Sequence, residues 1–519
     1  MLARLETESE KTGPPAHRGM TGRVVAAGAW TLLGQGATSL AAFLATPYGL
    51  RALGPELYGV LALVNMVVGY IAFADLALGS ASTKFGAAEY ARGSRTGEAG
   101  VIWTALGIVA VTATAVALIV GVGTPWLLRS VFKLSGPLVP VTTIAMHIAL
   151  GGFVARQLAG VLNTPVLVRL RYRLDALFTN GPLLVQILLV PVVLWLGGGL
   201  LAAVVVIAGA SLLSALLYGV AGVSLLPELR RPQLDRALVR PLLRFGGPLV
   251  GASLVGLVLL SLERVMVVRL ISVRALAHYT VAMTLAGFVA VAPLGMMNSL
   301  FSAFSQLRAA GPPEALEALY RRSQRMVLLG LPPLVLGLCA LGRPFLTLWA
   351  GPEYGDESIG PLCFLTLAAA AQVVNRISRE LLKAYGHTHF VLRYYLIEIV
   401  PYAVTTALAV HFLGTTGAAL AYFLRMAADC VLIVRAAGSS SGLRFAPFVG
   451  RAGDYGLALL VLGSPLALAP FARTWAVVAL LALAVAAALV AYAALAWRRV
   501  LGEDERIWLR ERIRRRLGR

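Results

Sequence analysis

At 519 residues, 59% of them hydrophobic and only 13% charged, the chain has about half the ~25% charged fraction of an ordinary soluble protein. This composition excludes a soluble globular enzyme. The formal net charge of +21 is not a nucleic-acid footprint, because the basic residues are scattered over short connecting segments and the tail instead of being gathered in one patch.

Taken in chain order, residues 1–23, "MLARLETESEKTGPPAHRGMTGR", are polar and carry Pro14-Pro15. They read as a flexible cytoplasmic lead and not as a cleaved signal, whose apolar region would begin soon after a short basic stretch. Crossing a ~30 Å hydrocarbon core takes about 20 residues at helical rise, and runs of that length then recur. Spans 1 to 6 are predicted at 24–46, 57–81, 100–121, 138–162, 174–196 and 200–224. They fill a first six-helix bundle, 24–226, followed by a basic cytoplasmic linker, 227–244. Spans 7 to 12, at 245–268, 276–301, 326–349, 358–382, 394–413 and 415–434, fill a second bundle, 245–436. Spans 13 and 14, 452–470 and 474–497, form an extra pair within 437–497, and 498–519 is a basic cytoplasmic tail. The predicted fold is therefore an all-α polytopic membrane protein of about 14 transmembrane helices.

Cytoplasmic loops gather Lys and Arg. With the N-terminus inside, 33 of the 45 Lys and Arg fall on cytoplasmic segments, against seven in or beside the outside loops. Both termini are thus expected in the cytoplasm, the tail "RRVLGEDERIWLRERIRRRLGR" lying where it meets anionic headgroups of membrane lipids. Cys339, Cys363 and Cys430 sit in apolar spans without metal-like spacing and read as packing residues. His147 in span 4 has no second histidine at ligand spacing, so no metal site is expected.

The two bundles repeat. "LRALGPELYGVLALV" (50–64) overlies "VRLISVRALAHYTVAM" (268–283), so that Arg51 meets Arg269. "ARQLAGVLNTPVLVRLRYRL" (155–174) overlies "SRELLKAYGHTHFVLRYYL" (378–396), so that Arg156 meets Arg379. Order and topology agree, giving two similarly oriented six-helix bundles plus a C-terminal pair.

On "RALGPELYGVLALV", "DLALGSASTKFGAAEYARG", "SLERVMVVRLISVRALAHYTVA", "LLKAYGHTHF" and "GTTGAALAYFL", the sequence resembles the polysaccharide exporter or O-antigen flippase branch of the superfamily that also contains multidrug and toxin extrusion transporters and the lipid II flippase. The resemblance covers spans 1 to 12. It implies export of a polyprenyl-linked oligosaccharide by alternating access in the bacterial inner membrane, with a polysaccharide polymerase and glycosyltransferases as partners. Where relatives often carry Asp-Arg at the end of span 7, this chain has Glu263-Arg264.

Ionisable residues inside a membrane face a cavity or a partner. In span 10, Gln372, Arg376, Arg379 and Lys383 recur at steps of four, three and four, so they share one helical face, with Glu380 beside them. Together with Arg156 they are the candidate substrate-binding stripe, since guanidinium pairs bidentately with phosphate. The competing reading pairs Arg376 with Glu380 at i, i+4 and leaves Arg379 and Lys383 as edge charges. Adjacent Glu263 and Arg264 differ by ~100° around a helix and so face different partners; they are candidates for a gate or cavity wall, or for an interhelical clasp. Arg425 and Asp429 are four apart and read as a local pair or as part of the same wall. Asp75 and Glu398 lack an opposite charge at i±3 or i±4 and are candidates for H⁺ or Na⁺ coupling; no other cofactor is implied. Gly181-Pro182 in span 5 and Pro332-Pro333 in span 9 mark breaks whose freed carbonyls need a partner.

Two other function classes compete. An ion-coupled exporter of small amphiphilic cations shares the fold, but several arginines would repel its substrate. A membrane glycosyltransferase or polymerase would need a sizeable loop or domain with paired carboxylates, which the short loops do not supply.

Overall fold

The computed structural model describes residues 17–73, 76–169, 171–291, 300, 304, 307–308, 313–385, 389–443, 448, 451–472, 474–501 and 506. Among these the regular structure is all helical, with no strand. In chain order the helices are α1 (His17–Phe73), α2 (Leu76–Ala91), α3 (Arg95–Trp126), α4 (Leu138–Leu162), the short α5 (Thr164–Val168), α6 (Tyr172–Trp195), α7 (Leu200–Leu225), α8 (Arg236–Leu270) and α9 (Val273–Val291). They continue with α10 (Pro313–Trp349), the short α11 (Pro352–Glu357), α12 (Ile359–Ala384), α13 (His389–Ser441), α14 (Ala452–Gly463) and α15 (Trp475–Leu495).

Eleven described helices are long and apolar enough to cross a membrane. Two of these are pairs of spans joined across a kink. In α1 the kink is Gly54, at φ 71°, followed by Pro55; in α13 it is Gly414, at φ 57°. Only glycine adopts such backbone without a Cβ penalty, so these two residues turn one long helix into two spans. Resolving both kinks and adding the 35-residue α8 gives the fourteen spans expected from hydropathy.

By internal contact the chain forms two compact units. Unit 1 comprises residues 1–49, 71–124 and 143–251; unit 2 comprises 50–70, 125–142 and 252–519. In unit 1, Ala159, Val166, Ala215, Tyr218 and Ala221 form a buried cluster. Gly152 of α4 lies so close to α7 that a Cβ there would come 2.8 Å from the Ala208 Cα, the close approach that small residues permit between membrane helices. In unit 2, one cluster gathers Phe304, Tyr320, Ile377, Leu381 and Ile433. Another packs α14 and α15 on α10 through Leu336, Ala340, Leu462, Leu481 and Val485.

The proline breaks are satisfied from neighbouring helices. A helical proline has no N–H for the carbonyl four residues earlier, so Pro332 and Pro333 release the carbonyls of Leu328 and Leu329. Tyr455 of α14 donates to the Leu328 oxygen at 2.7 Å and Tyr492 of α15 to the Leu329 oxygen at 3.0 Å. In unit 1, Pro182 releases the Phe178 carbonyl, which accepts from Ser214 Oγ of α7 at 3.0 Å. The C-terminal pair is therefore keyed to α10 by two hydroxyls placed at a double proline. Tyr455→Phe/Tyr492→Phe keeps the packing and strands both carbonyls; at ~0.5–1.5 kcal/mol per bond it should lower the apparent melting temperature in detergent measurably, and an unchanged melting curve would contradict the keying.

Candidate functional site

Unit 2 holds a polar network buried among apolar helices. Its parts arrive at helical spacing: Tyr395, Glu398 and Tyr402 on the first arm of α13, Arg425 and Asp429 on the second, Asn375 and Arg379 on α12, and Glu263 with Arg264 on α8. Apart from the adjacent Glu263 and Arg264, steps of three and four place each set on one face of its helix.

Glu263 is fully buried and accepts a hydrogen bond from Tyr402 Oη at 2.7 Å. The Tyr402 ring lies 5.1 Å from the Arg425 guanidinium carbon, a cation–π contact. Arg425 in turn donates through Nε to Glu398 at 3.3 Å and through Nη1 to the Leu259 carbonyl at 3.0 Å. Asp429, 1% exposed, accepts from Asn375 Nδ2 at 2.6 Å and from Arg379 Nη2. Arg379 also donates to Tyr395 Oη at 2.5 Å. Arg264, one residue from Glu263, turns elsewhere and places Nη2 2.7 Å from the Met283 sulfur, as adjacency on a helix requires.

Three carboxylates thus stand among three guanidiniums. Burying one ion costs several kcal/mol, which mutual pairing and hydrogen bonds offset. The pairing differs from the local expectations. Arg425 and Asp429 do not pair within their helix: Arg425 takes Glu398 and Asp429 takes Arg379. Arg376 does not pair with Glu380, which is bonded at 2.9 Å to Lys383. Glu398, expected without a cation on its own stretch of helix, meets Arg425 from across the Gly414 kink. In each case a partner on an adjacent arm, or three residues away, offers shorter geometry than the i, i+4 neighbour. Asp75 lies outside the described residues.

The candidate stripe on α12 divides accordingly. Arg379 is 21% exposed and committed to Asp429; Lys383 is 48% exposed and paired. Gln372 and Arg376, one turn apart, are exposed and have no bonded partner among the described residues. Arg156 lies in unit 1, exposed and likewise without a bonded partner among them. It lines a 190 Å³ cavity between α4, α6 and α7 with Asn163, Thr179, Gln186, Ser211 and Tyr218.

Four further features escaped the sequence. Asn375, Tyr395 and Tyr402 belong to the unit 2 network, and the three- and four-residue spacing of Tyr395 and Tyr402 around Glu398 was the signal for two of them. In unit 1, Arg169 grips Glu98 bidentately, Nη1 to Oε1 at 2.6 Å and Nη2 to Oε2 at 3.0 Å; no local pattern links residues 71 positions apart. Unit 2 also has an open apolar pocket of 820 Å³ between α10, α12 and α14, lined by Leu331, Val335, Cys339, Cys363, Leu367 and Leu462. At the α9–α11 edge of the unit, Arg274 Nε donates to Glu353 at 2.8 Å, and this hydrogen bond holds the Glu353 carboxyl below the usual carboxylate range.

The family model for polysaccharide biosynthesis protein matches residues 24–307, more than half of the chain, and the MatE model matches 248–408. Comparison with curated protein sequences gives no match. Among solved structures, the lipid II flippase MurJ in an inward closed conformation is 11% identical with a TM-score of 0.71, covering 93% of this chain and 99% of MurJ. An inward-facing multidrug resistance MATE transporter of the MOP superfamily is 18% identical with a TM-score of 0.64, covering 78% and 94%. A MOP superfamily transporter from Pyrococcus furiosus, described as having a binding pocket of reverse polarity, is 15% identical with a TM-score of 0.57, covering 81% and 95%. The chain therefore belongs to the polysaccharide biosynthesis protein family, on the membrane fold shared by the transporters and flippases of the MOP superfamily.

Proposed function

We propose that this protein moves a polyprenyl-(pyro)phosphate-linked oligosaccharide, or a related polysaccharide precursor, across the cytoplasmic membrane by alternating access, with both termini in the cytoplasm. The observation that carries this reading is the sign of the charge left over after pairing. Glu380, Glu398 and Asp429 are each paired with a cation and Glu263 accepts from the Tyr402 hydroxyl, whereas Arg156 and Arg376 stand exposed without a bonded partner among the described residues. Free guanidiniums suit an anionic phosphate headgroup. The apolar pocket between α10, α12 and α14 supports the same reading, because its lining suits an alkyl chain. A polysaccharide polymerase and glycosyltransferases would supply and consume such a cargo. Coupling to H⁺ or Na⁺ through Glu398 or Asp75 is the accompanying proposal for the energy source.

A second reading, export of small molecules, is favoured by the MatE match over 248–408. The surplus of positive charge opposes it for cationic cargo.

The test compares polyprenyl-linked sugars and surface polysaccharide in cells with and without the protein, complemented by wild type or Arg376→Ala. Arg379 is left in place, because its loss would unpair Asp429. Loss of polymer, accumulation of lipid-linked precursor and a roughly tenfold or greater deficit with Arg376→Ala are expected, the size of a lost charge-assisted contact of about 1.5–3 kcal/mol. Unchanged precursor pools in cells lacking the protein would overturn the flippase reading and bring small-molecule export forward.

A further inference from the structure

The unit 1 cavity has a composition that goes beyond headgroup recognition. Its lining converges at one depth. Arg156 is six residues from the end of α4, Thr179 seven from the start of α6 and Tyr218 seven from the end of α7, which is about 10 Å from each helix end at 1.5 Å per residue. On the charge-derived orientation, all three of those ends are cytoplasmic.

Some lining groups are already used. Tyr218 Oη donates to Asp175 Oδ1 at 2.7 Å and lies 2.8 Å from Thr179 Oγ1; Ser211 Oγ donates to its own helix, to the Ile207 carbonyl at 3.4 Å. Three groups are unspent. The Arg156 guanidinium and the Gln186 side-chain amide have no bonded partner among the described residues, and Asn163 Oδ1 is buried with none.

We propose that this cavity is a subsite for one acidic sugar residue, a monoanionic polyol, taken up from the cytoplasmic side. Size and charge both limit the ligand. A volume of 190 Å³ leaves room for one pyranose. The lining carries one cation among neutral amides and hydroxyls, which matches a single carboxylate surrounded by hydroxyls. Arg156 would clasp the carboxylate bidentately and Gln186 would bond to a ring hydroxyl. The subsite rests on the transport reading and deepens it, since it makes one sugar of the cargo a determinant of recognition.

The test uses the purified full-length protein in lipid nanodiscs, titrated separately with glucuronate, glucose and inorganic phosphate and followed by saturation-transfer NMR. Glucuronate is expected to bind saturably and more tightly than glucose or phosphate. Arg156→Gln should weaken glucuronate by about tenfold or more while leaving glucose unchanged, and Arg156→Lys should restore part of the loss. Arg156 is exposed and bonds to no described residue, so these variants should fold. Arg376→Ala, in the other unit, should bind glucuronate as wild type does. Absence of saturable glucuronate binding, equal affinity in Arg156→Gln, or tighter binding of phosphate than of glucuronate would each overturn the subsite. The transport reading fails separately: if glucuronate binds as expected while cells lacking the protein keep normal polymer and precursor pools, the subsite stands and the flippase does not. If those cells lose polymer but Arg156→Gln complements fully and binds glucuronate like wild type, the flippase stands and the subsite does not.

Discussion

Replacing Asp429 with alanine is expected to cost about 3–5 kcal/mol of stability, the penalty for leaving a buried charge without its partner. The carboxylate is 1% exposed and its Oδ2 accepts from both Asn375 and Arg379, so one deletion strands an amide and a guanidinium together. The apparent melting temperature in detergent should fall by roughly 3–5 °C. The informative companion is Arg379→Leu/Asp429→Leu, which removes both charges. It should lose clearly less than the two single leucine variants added together, because paired ions replaced by apolar groups leave nothing unneutralised. Strict additivity would mean that the pair is not coupled and that Arg379 is available to a ligand after all. The distinction bears on transport: a guanidinium spent on Asp429 positions α12 against the second arm of α13, while Arg376 three residues earlier has no bonded partner among the described residues.

Glu98→Ala in unit 1 should have an effect of similar size, about 3–5 kcal/mol. Glu98 is fully buried, and the Arg169 side chain is 13% exposed. The fork of two bonds fastens the start of α3 to the turn after α5, and the Arg169 guanidinium also lies 4.9 Å from the Tyr90 ring. Arg169→Lys keeps the charge but loses the planar fork, so it should recover only part of the stability. If Lys matched Arg in thermal melting, charge alone would account for the contact and the bidentate geometry would contribute nothing. Both variants are best followed by melting and not by ligand affinity, because unit 1 also carries the Arg156 cavity, and a loss of glucuronate binding there would follow from loosened helices as well as from lost contacts.

Much of the architecture is legible along the chain. Hydropathy placed fourteen spans, and the two helices that each run on through a pair of spans are divided at Gly54 and Gly414, where positive φ demands a residue without Cβ. Pro182 and Pro332-Pro333 were recognisable as points where carbonyls go unbonded. What came to those carbonyls, Ser214 in one case and Tyr455 with Tyr492 in the other, was not, because a lone hydroxyl in an apolar helix looks the same whether it serves a neighbour or its own backbone. The charged residues divide in the same way. That Glu263 and Arg264 would face apart followed from the ~100° step of a helix, but Tyr402 as the partner of Glu263 lies 139 residues away.

Periodicity assigns a residue to a face of its own helix; it carries no information about the distance to another helix. The amino-acid order therefore settles that the chain spans a membrane, where its helices bend and which faces are polar, since these depend on neighbours within a few turns. Tertiary packing alone decides that Arg379 belongs to Asp429, that Arg425 belongs to Glu398 and that Arg156 and Arg376 stay unbonded among the described residues. Pairing energy depends on separations of a few ångströms between helices distant in the chain, and in a medium of low polarity the nearest opposite charge wins over the nearest one in sequence.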